Sequence, residues 1–141
     1  MNYSHLALAA VGATVAYFAY GFAVFFLVPS LVNESRKYPG VYRSKEEINK
    51  VMPIGMVTTL VAILVAAILF AMMHPGGSGP AAGARFGALL GVFVVCGFVL
   101  HNYVNLNIGL KLTLWQAAVY FLQWIIVGIV VALIYKPIAA P

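Results

Sequence analysis

The chain has 141 residues, 64% of them hydrophobic and 8% charged, with a net charge of +5 at neutral pH. A soluble domain carries roughly a quarter charged residues, and a chain this short cannot hide so much apolar side chain from water. A water-soluble globular fold is therefore excluded, and lipid is the expected solvent. The positive balance comes mostly from one loop, so it reads as topogenic charge beside anionic lipid and not as a nucleic-acid surface.

A membrane-crossing helix takes about 20 mostly apolar residues. Four stretches qualify, which predicts an all-α fold: an integral membrane four-helix bundle with antiparallel neighbours, one domain over residues 1–141. The first span covers roughly residues 5–32 and ends near Pro29. The opening Met1-Asn2-Tyr3-Ser4-His5 lacks the positive n-region of a secretory signal, so this span is expected to be retained.

Residues 33–50 form the first connection, with Arg36, Lys37, Arg43, Lys45 and Lys50 beside all three acids, Glu34, Glu46 and Glu47. The positive-inside rule places this loop in the cytoplasm and both termini on the outer side. Lys111 also falls inside, whereas Arg85 and Lys136 fall outside. Ser44 and Glu47 match a capping box, so a short helix is expected to lead into the second span. Asn33-Glu34-Ser35 matches a glycosylation acceptor, but on the cytoplasmic side the match is empty.

The second span covers roughly residues 51–73, with Pro53 tolerated in its first turn, and stops at the breaker His74-Pro75-Gly76-Gly77. The third covers roughly 83–106 and the fourth 113–135, followed by Lys136-Pro137. Tyr3, Tyr103, Trp115 and Tyr135 fall where aromatic belts belong.

Helices in lipid associate through close packing that small residues permit. Ala9, Gly12, Ala16, Ala19 and Ala23 offer such a seam on the first span, and Gly55, Thr59, Ala62 and Ala66 on the second. Gly83, Gly87 and Gly91 make a doubled G-x-x-x-G on the third. Ordinary packing within the bundle accounts for these; a homodimer or partner-subunit contact is the alternative for the glycines. Gly87, Gly91, Val94, Phe98, His101 and Asn105 continue one stripe along the third span. Gln116, Tyr120, Gln123, Val127, Val130 and Ile134 do so on the fourth, and the two stripes are expected to face each other.

That pairing brings His101, Asn105, Gln116 and Tyr120 together in the cytoplasmic half, with Gln123 deeper. Buried amides and imidazoles need hydrogen-bond partners. The simpler reading is a polar clamp between two helices; the sharper one is a pocket for a lipid head group, a quinone-like ring or another amphiphile. His5 and His74 are predicted at the outer rim, away from His101 and outside the bundle, which disfavours haem. No cofactor and no metal site is expected. The predicted spans contain no Asp or Glu, which disfavours proton-coupled exchange, and no Lys or Arg in their interiors. The single cysteine, Cys96, lacks a second thiol for a disulfide relay and has no thiolate-stabilising cation nearby.

The stretch Gly87–Asn105, GALLGVFVVCGFVLHNYVN, resembles a family of small bacterial four-span proteins known as domain of unknown function 1761. The Gly21 region, the polar loop and the short second span fit the same layout. The resemblance implies the fold, the topology and a bacterial membrane; it brings no activity and no functional residues. The expectation is a non-catalytic, multi-pass protein of the bacterial inner membrane, a small accessory subunit packing against lipid and against other membrane proteins or itself. A binder or transporter of a lipophilic small molecule, using His101, Asn105, Gln116, Tyr120 and Gln123, is the alternative.

Overall fold

The computed structural model describes residues 1–137, and among these it holds helices and no strand. The helices are α1 (Tyr3–Leu27), α2 (Pro29–Ser35), α3 (Lys45–Met73), α4 (Pro80–Val94), a π-helical turn at Val95–Val99, α5 (Leu100–Asn105) and α6 (Leu110–Ile134). α4, the π turn and α5 run on as one span, Pro80–Asn105, so four helices are long and apolar enough to cross a membrane. The start of α1, the end of α6 and the Gly/Pro-rich turn 74–79 lie at one end, the terminal face. The first and third connections lie at the other, the basic face.

Each boundary has a local cause. Pro29 has no N–H and disfavours helical backbone at the residue before it, and Val28 accordingly leaves the helix at φ −120°, ψ 70°. The predicted first span therefore divides, with α2 as a separate short helix. α3 begins at its capping box. Ser44 Oγ accepts from Glu47 N–H at 3.3 Å, and Glu47 Oε2 accepts from Ser44 N–H at 3.0 Å. The expected lead-in helix and the second span are thus one continuous helix with Pro53 inside it. In the following turn Gly77 has φ +81°, which favours glycine. Pro80 opens α4 at its first position, where a missing N–H costs nothing.

α6 is the hub, packing most extensively on α4 and next on α1; α3 leans on α1. The α4–α6 seam is backbone against backbone. A Cβ on Gly83 would strike the carbonyl oxygen of Gly128, one on Gly87 that of Trp124, and one on Gly91 would lie 2.9 Å from the Phe121 ring. The doubled glycine motif is therefore occupied within the chain. Its counterpart, Gly128 followed four residues later by Ala132, is a small-residue pair of the same spacing.

The hydrophobic core lies in the terminal half. Leu6, Ala9 and Ala13 of α1 meet Ile63, Ala66, Ala67 and Phe70 of α3, Phe86 of α4, and Val127 and Val131 of α6. Phe70 and Phe86 meet edge-on with centroids 5.3 Å apart. Tyr135, expected in an aromatic belt, is buried in this core, whereas Tyr3, Tyr103 and Trp115 are exposed. Toward the basic face the helices part company. Met52, Ile54, Met56, Val57, Leu60 and Val61 of α3 are exposed, as are Phe22, Phe25 and Phe26 of α1.

Several expected seam positions are corrected by this splaying. Ala62 is exposed, a Cβ on Gly55 would meet nothing within 4 Å, and of that seam only Ala66 is buried. Ala16 is half-buried while Ala19 and Ala23 are exposed, because α1 makes its close contacts near its start. The α6 stripe also faces a different neighbour. Ile134 and Val130 are the nearest side chains to Gly12 of α1, and Gln123 reaches Tyr17 of α1.

Candidate functional site

The polar residues of α6 form a row on the side that meets α1 and the first connection. Gln123 is buried, and its Nε2 donates to the Tyr17 carbonyl oxygen at 2.8 Å. Gly21 stands one helical turn beyond Tyr17, and a Cβ there would sit 3.5 Å from that same Nε2. That is ordinary contact, so Gly21 packs against the amide without being required for its approach. A carbonyl has two lone pairs, so it serves its own helix and Gln123 together.

Gln116, two turns nearer the basic face, donates from Nε2 to the Tyr42 hydroxyl at 2.9 Å. Tyr120 stands between the two amides at the exposed margin of the row. Three of the five expected site residues, Gln116, Tyr120 and Gln123, therefore share one face of α6.

His101 and Asn105 do not join them; both are exposed on α5, which buries no residue on any face. The π turn adds a shift of facing to this. The Leu100 amide bonds to the Val95 carbonyl, five residues back, so one residue is inserted and everything after it rotates by about 100°. Val99, not Phe98, carries the buried face onward, and Phe98, His101 and Asn105 turn outward. Cys96 is exposed on the same turn.

At the basic face the first connection is clasped to the start of α6. The Glu34 side chain, 8% exposed, accepts from Lys37 Nζ at 2.9 Å and lies 3.4 Å from Lys111 Nζ on α6. The Lys37 hydrogen bond, with the positive charges of Lys37 and Lys111, holds the Glu34 carboxyl below the usual carboxylate range, against the opposing effect of burial. The Tyr38 hydroxyl packs against Gly109, where any side chain would collide with it. Ile108, Leu112 and Thr113 are buried beneath this clasp.

His5 and His74 both lie at the terminal face, and each is engaged by a backbone carbonyl. His5 Nδ1 is 3.1 Å from the Ile134 oxygen and His74 Nδ1 3.1 Å from the Phe70 oxygen. His74 also stacks on the Phe70 ring at 4.4 Å. Among the described residues, no three His, Cys, Asp or Glu side chains group as a metal site.

Hollows open at both ends of the bundle. One, about 260 Å³, opens at the terminal face among Met1, Ala71, Met72, Pro75, Tyr135 and Pro137. The other is an open groove of about 330 Å³ beside Lys111, Leu114 and Trp115.

Tyr17, Gly21, Glu34, Tyr38 and Tyr42 were not foreseen as contact residues. Tyr42 carries no local signal, since its partner Gln116 is 74 residues away. Gly128 was not foreseen either, although its four-residue spacing to Ala132 is a signal that could have found it. Chemically, the α6 row offers amides and phenols, which can orient a polar group by hydrogen bonding.

Four antiparallel apolar helices, with Gln123 paired to a neighbouring helix and Gln116 to the first connection, define a multi-pass α-helical membrane protein in contact with the lipid bilayer. Comparison with protein families, with curated proteins and with solved structures gives no match.

Proposed function

We propose that the protein is a non-catalytic membrane subunit whose half-unpacked α3 seats against a transmembrane helix of another protein or of a second copy. The observation that carries this reading is the basic-side half of α3. Gly55 and Ala62, with Thr59 between them, form a small-residue seam that is left open within the chain. Such seams are what lets two helices approach closely in lipid, where burying apolar surface gives no drive of its own. The six cations of the basic face support a cytoplasmic placement of that face.

The test is cross-linking in native membranes. Met56→Cys and Ala62→Cys, each in a Cys96→Ala background, should give an adduct with a partner or a second copy. Leu133→Cys, exposed on the well-packed terminal half of α6, should give none. Free monomer alone at both α3 positions would refute the reading.

A second reading rests on the α6 row. Tyr120 sits at the margin of the bundle between two anchored amides, a suitable place for the polar end of an amphiphile. Lipid or quinone-like material co-purifying with the protein should then fall in Gln116→Ala and Tyr120→Phe. Unchanged content in both would remove it.

A further inference from the structure

We propose that the groove beside Lys111, Leu114 and Trp115 seats the phosphate and the first acyl segment of an anionic phospholipid. Lys111 and Trp115 are four residues apart at the start of α6, so they stack on one helix face, and Leu114 lies next to them in the same groove. α6 begins at Leu110, which places this first turn at the boundary between the basic face and the hydrocarbon. The hollow is a shallow, open groove of about 330 Å³ lined by the ammonium-bearing Lys111, the Trp115 indole and the exposed apolar Leu114.

The charge arithmetic leaves Lys111 free to take a phosphate. Glu34 carries one negative charge shared between Lys37 at 2.9 Å and Lys111 at 3.4 Å, so the triad keeps a net positive charge. An ammonium has three donors. One is aimed at Glu34, and the Lys111 side chain is 68% exposed, so the others are open to the groove. Trp115 adds an N–H donor and an amphipathic ring of the kind that sits at headgroup level. Arg36, Arg43, Lys45 and Lys50 are exposed on the same face and raise the local concentration of anionic lipid. A zwitterionic lipid would bring its own cation against this collar. The terminal-face hollow is lined by Met1, Ala71, Met72, Pro75, Tyr135 and Pro137, with no Lys or Arg among these described residues. This inference does not depend on the subunit reading.

Full-length protein, stripped of lipid in mild detergent, is titrated with phosphatidylglycerol or phosphatidylcholine, and bound lipid is read by native mass spectrometry. The wild type should retain phosphatidylglycerol over phosphatidylcholine. Lys111→Ala should weaken retention about fivefold, the effect of one cation near an anionic surface, while Lys111→Arg keeps it and Lys50→Ala, outside the groove lining, has a smaller effect than Lys111→Ala. Because Lys111→Ala also loosens the clasp, Glu34→Gln supplies a test of opposite sign. It removes the competing carboxylate, so it should strengthen phosphatidylglycerol retention even as it weakens the clasp. Equal retention of phosphatidylcholine, wild-type retention by Lys111→Ala, or weaker retention by Glu34→Gln would each overturn the proposal. Complete displacement of the lipid by excess inorganic phosphate would also overturn it, by reducing the seat to a bare phosphate site.

Discussion

A methyl group added at Gly128 tests the α4–α6 seam directly. In Gly128→Ala the new carbon would lie 2.8 Å from the Gly87 nitrogen and 2.9 Å from its Cα, and it would strike the Gly83 carbonyl oxygen. Ordinary contact begins at 3.4 Å, so the Cα alone is 0.5 Å too near. All three obstacles are backbone, and no side-chain rotation relieves them. The two helices must therefore separate along their whole contact, and a gap of about 0.5–1 Å forfeits a quarter to a half of each dispersion contact it opens. Overpacking costs about 1–3 kcal/mol. The backbone obstacles put this case near the top, roughly two orders of magnitude in the folded-to-unfolded ratio at about 3 kcal/mol. Reversible unfolding in mixed micelles of rising dodecyl sulfate content, followed by far-ultraviolet circular dichroism, measures it. Gly55→Ala, which meets nothing within 4 Å, is the control and should stay within about 0.5 kcal/mol of wild type. If Gly128→Ala unfolds at the same detergent fraction as Gly55→Ala, α4 and α6 are not in backbone contact.

Gln123→Leu keeps the volume of Gln123 and loses one interhelical hydrogen bond. It should cost about 0.6 kcal/mol and at most about 1.7 in the same assay; a larger loss would show that Gln123 holds more than the Tyr17 carbonyl. His101→Ala and Asn105→Ala should each change stability by less than about 0.5 kcal/mol, since both side chains are exposed. A loss comparable to Gln123→Leu would place them back inside the bundle. Glu34 gives a pH signature. Its pKa is lowered on folding, so its stabilising effect is complete above the ordinary carboxylate range and is lost as pH falls through the depressed value. Wild type should therefore lose more thermal stability than Glu34→Gln on acidification below about pH 4. Parallel pH profiles for the two would contradict the clasp.

The four spans were legible because hydrocarbon demands long apolar runs, and the punctuation at Pro29, Ser44 and His74-Pro75-Gly76-Gly77 was legible because backbone chemistry is local; Pro80, which opens α4 three residues before the expected start, was passed over. Facing was harder to read. In water a buried face announces itself by contrast with a polar one, but Ile63, Phe70 and Val131 in the core differ little in kind from Ile54, Phe93 and Leu133 facing lipid. Small residues are a better guide, yet they mark both occupied seams, as at Gly87, and open ones, as at Gly55. The pairing of His101 with Gln116 failed for a different reason. It assumed an unbroken α-helical period through Val95–Val99, and nothing in that valine-rich run signals the extra residue. Gln116 and Gln123 were recognised as groups that must find partners, but those partners lie on α1 and in the first connection, far away along the chain.

The π turn also separates two jobs within one span. Upstream of it, the glycines are committed to α6 by distances that admit no side chain. Downstream, the compass bearing of Phe98, His101 and Asn105 is set by how many residues the chain counts out, not by which ones. Removing a single residue between Val95 and Val99 would swing that end by about 100° and leave the glycine seam in register.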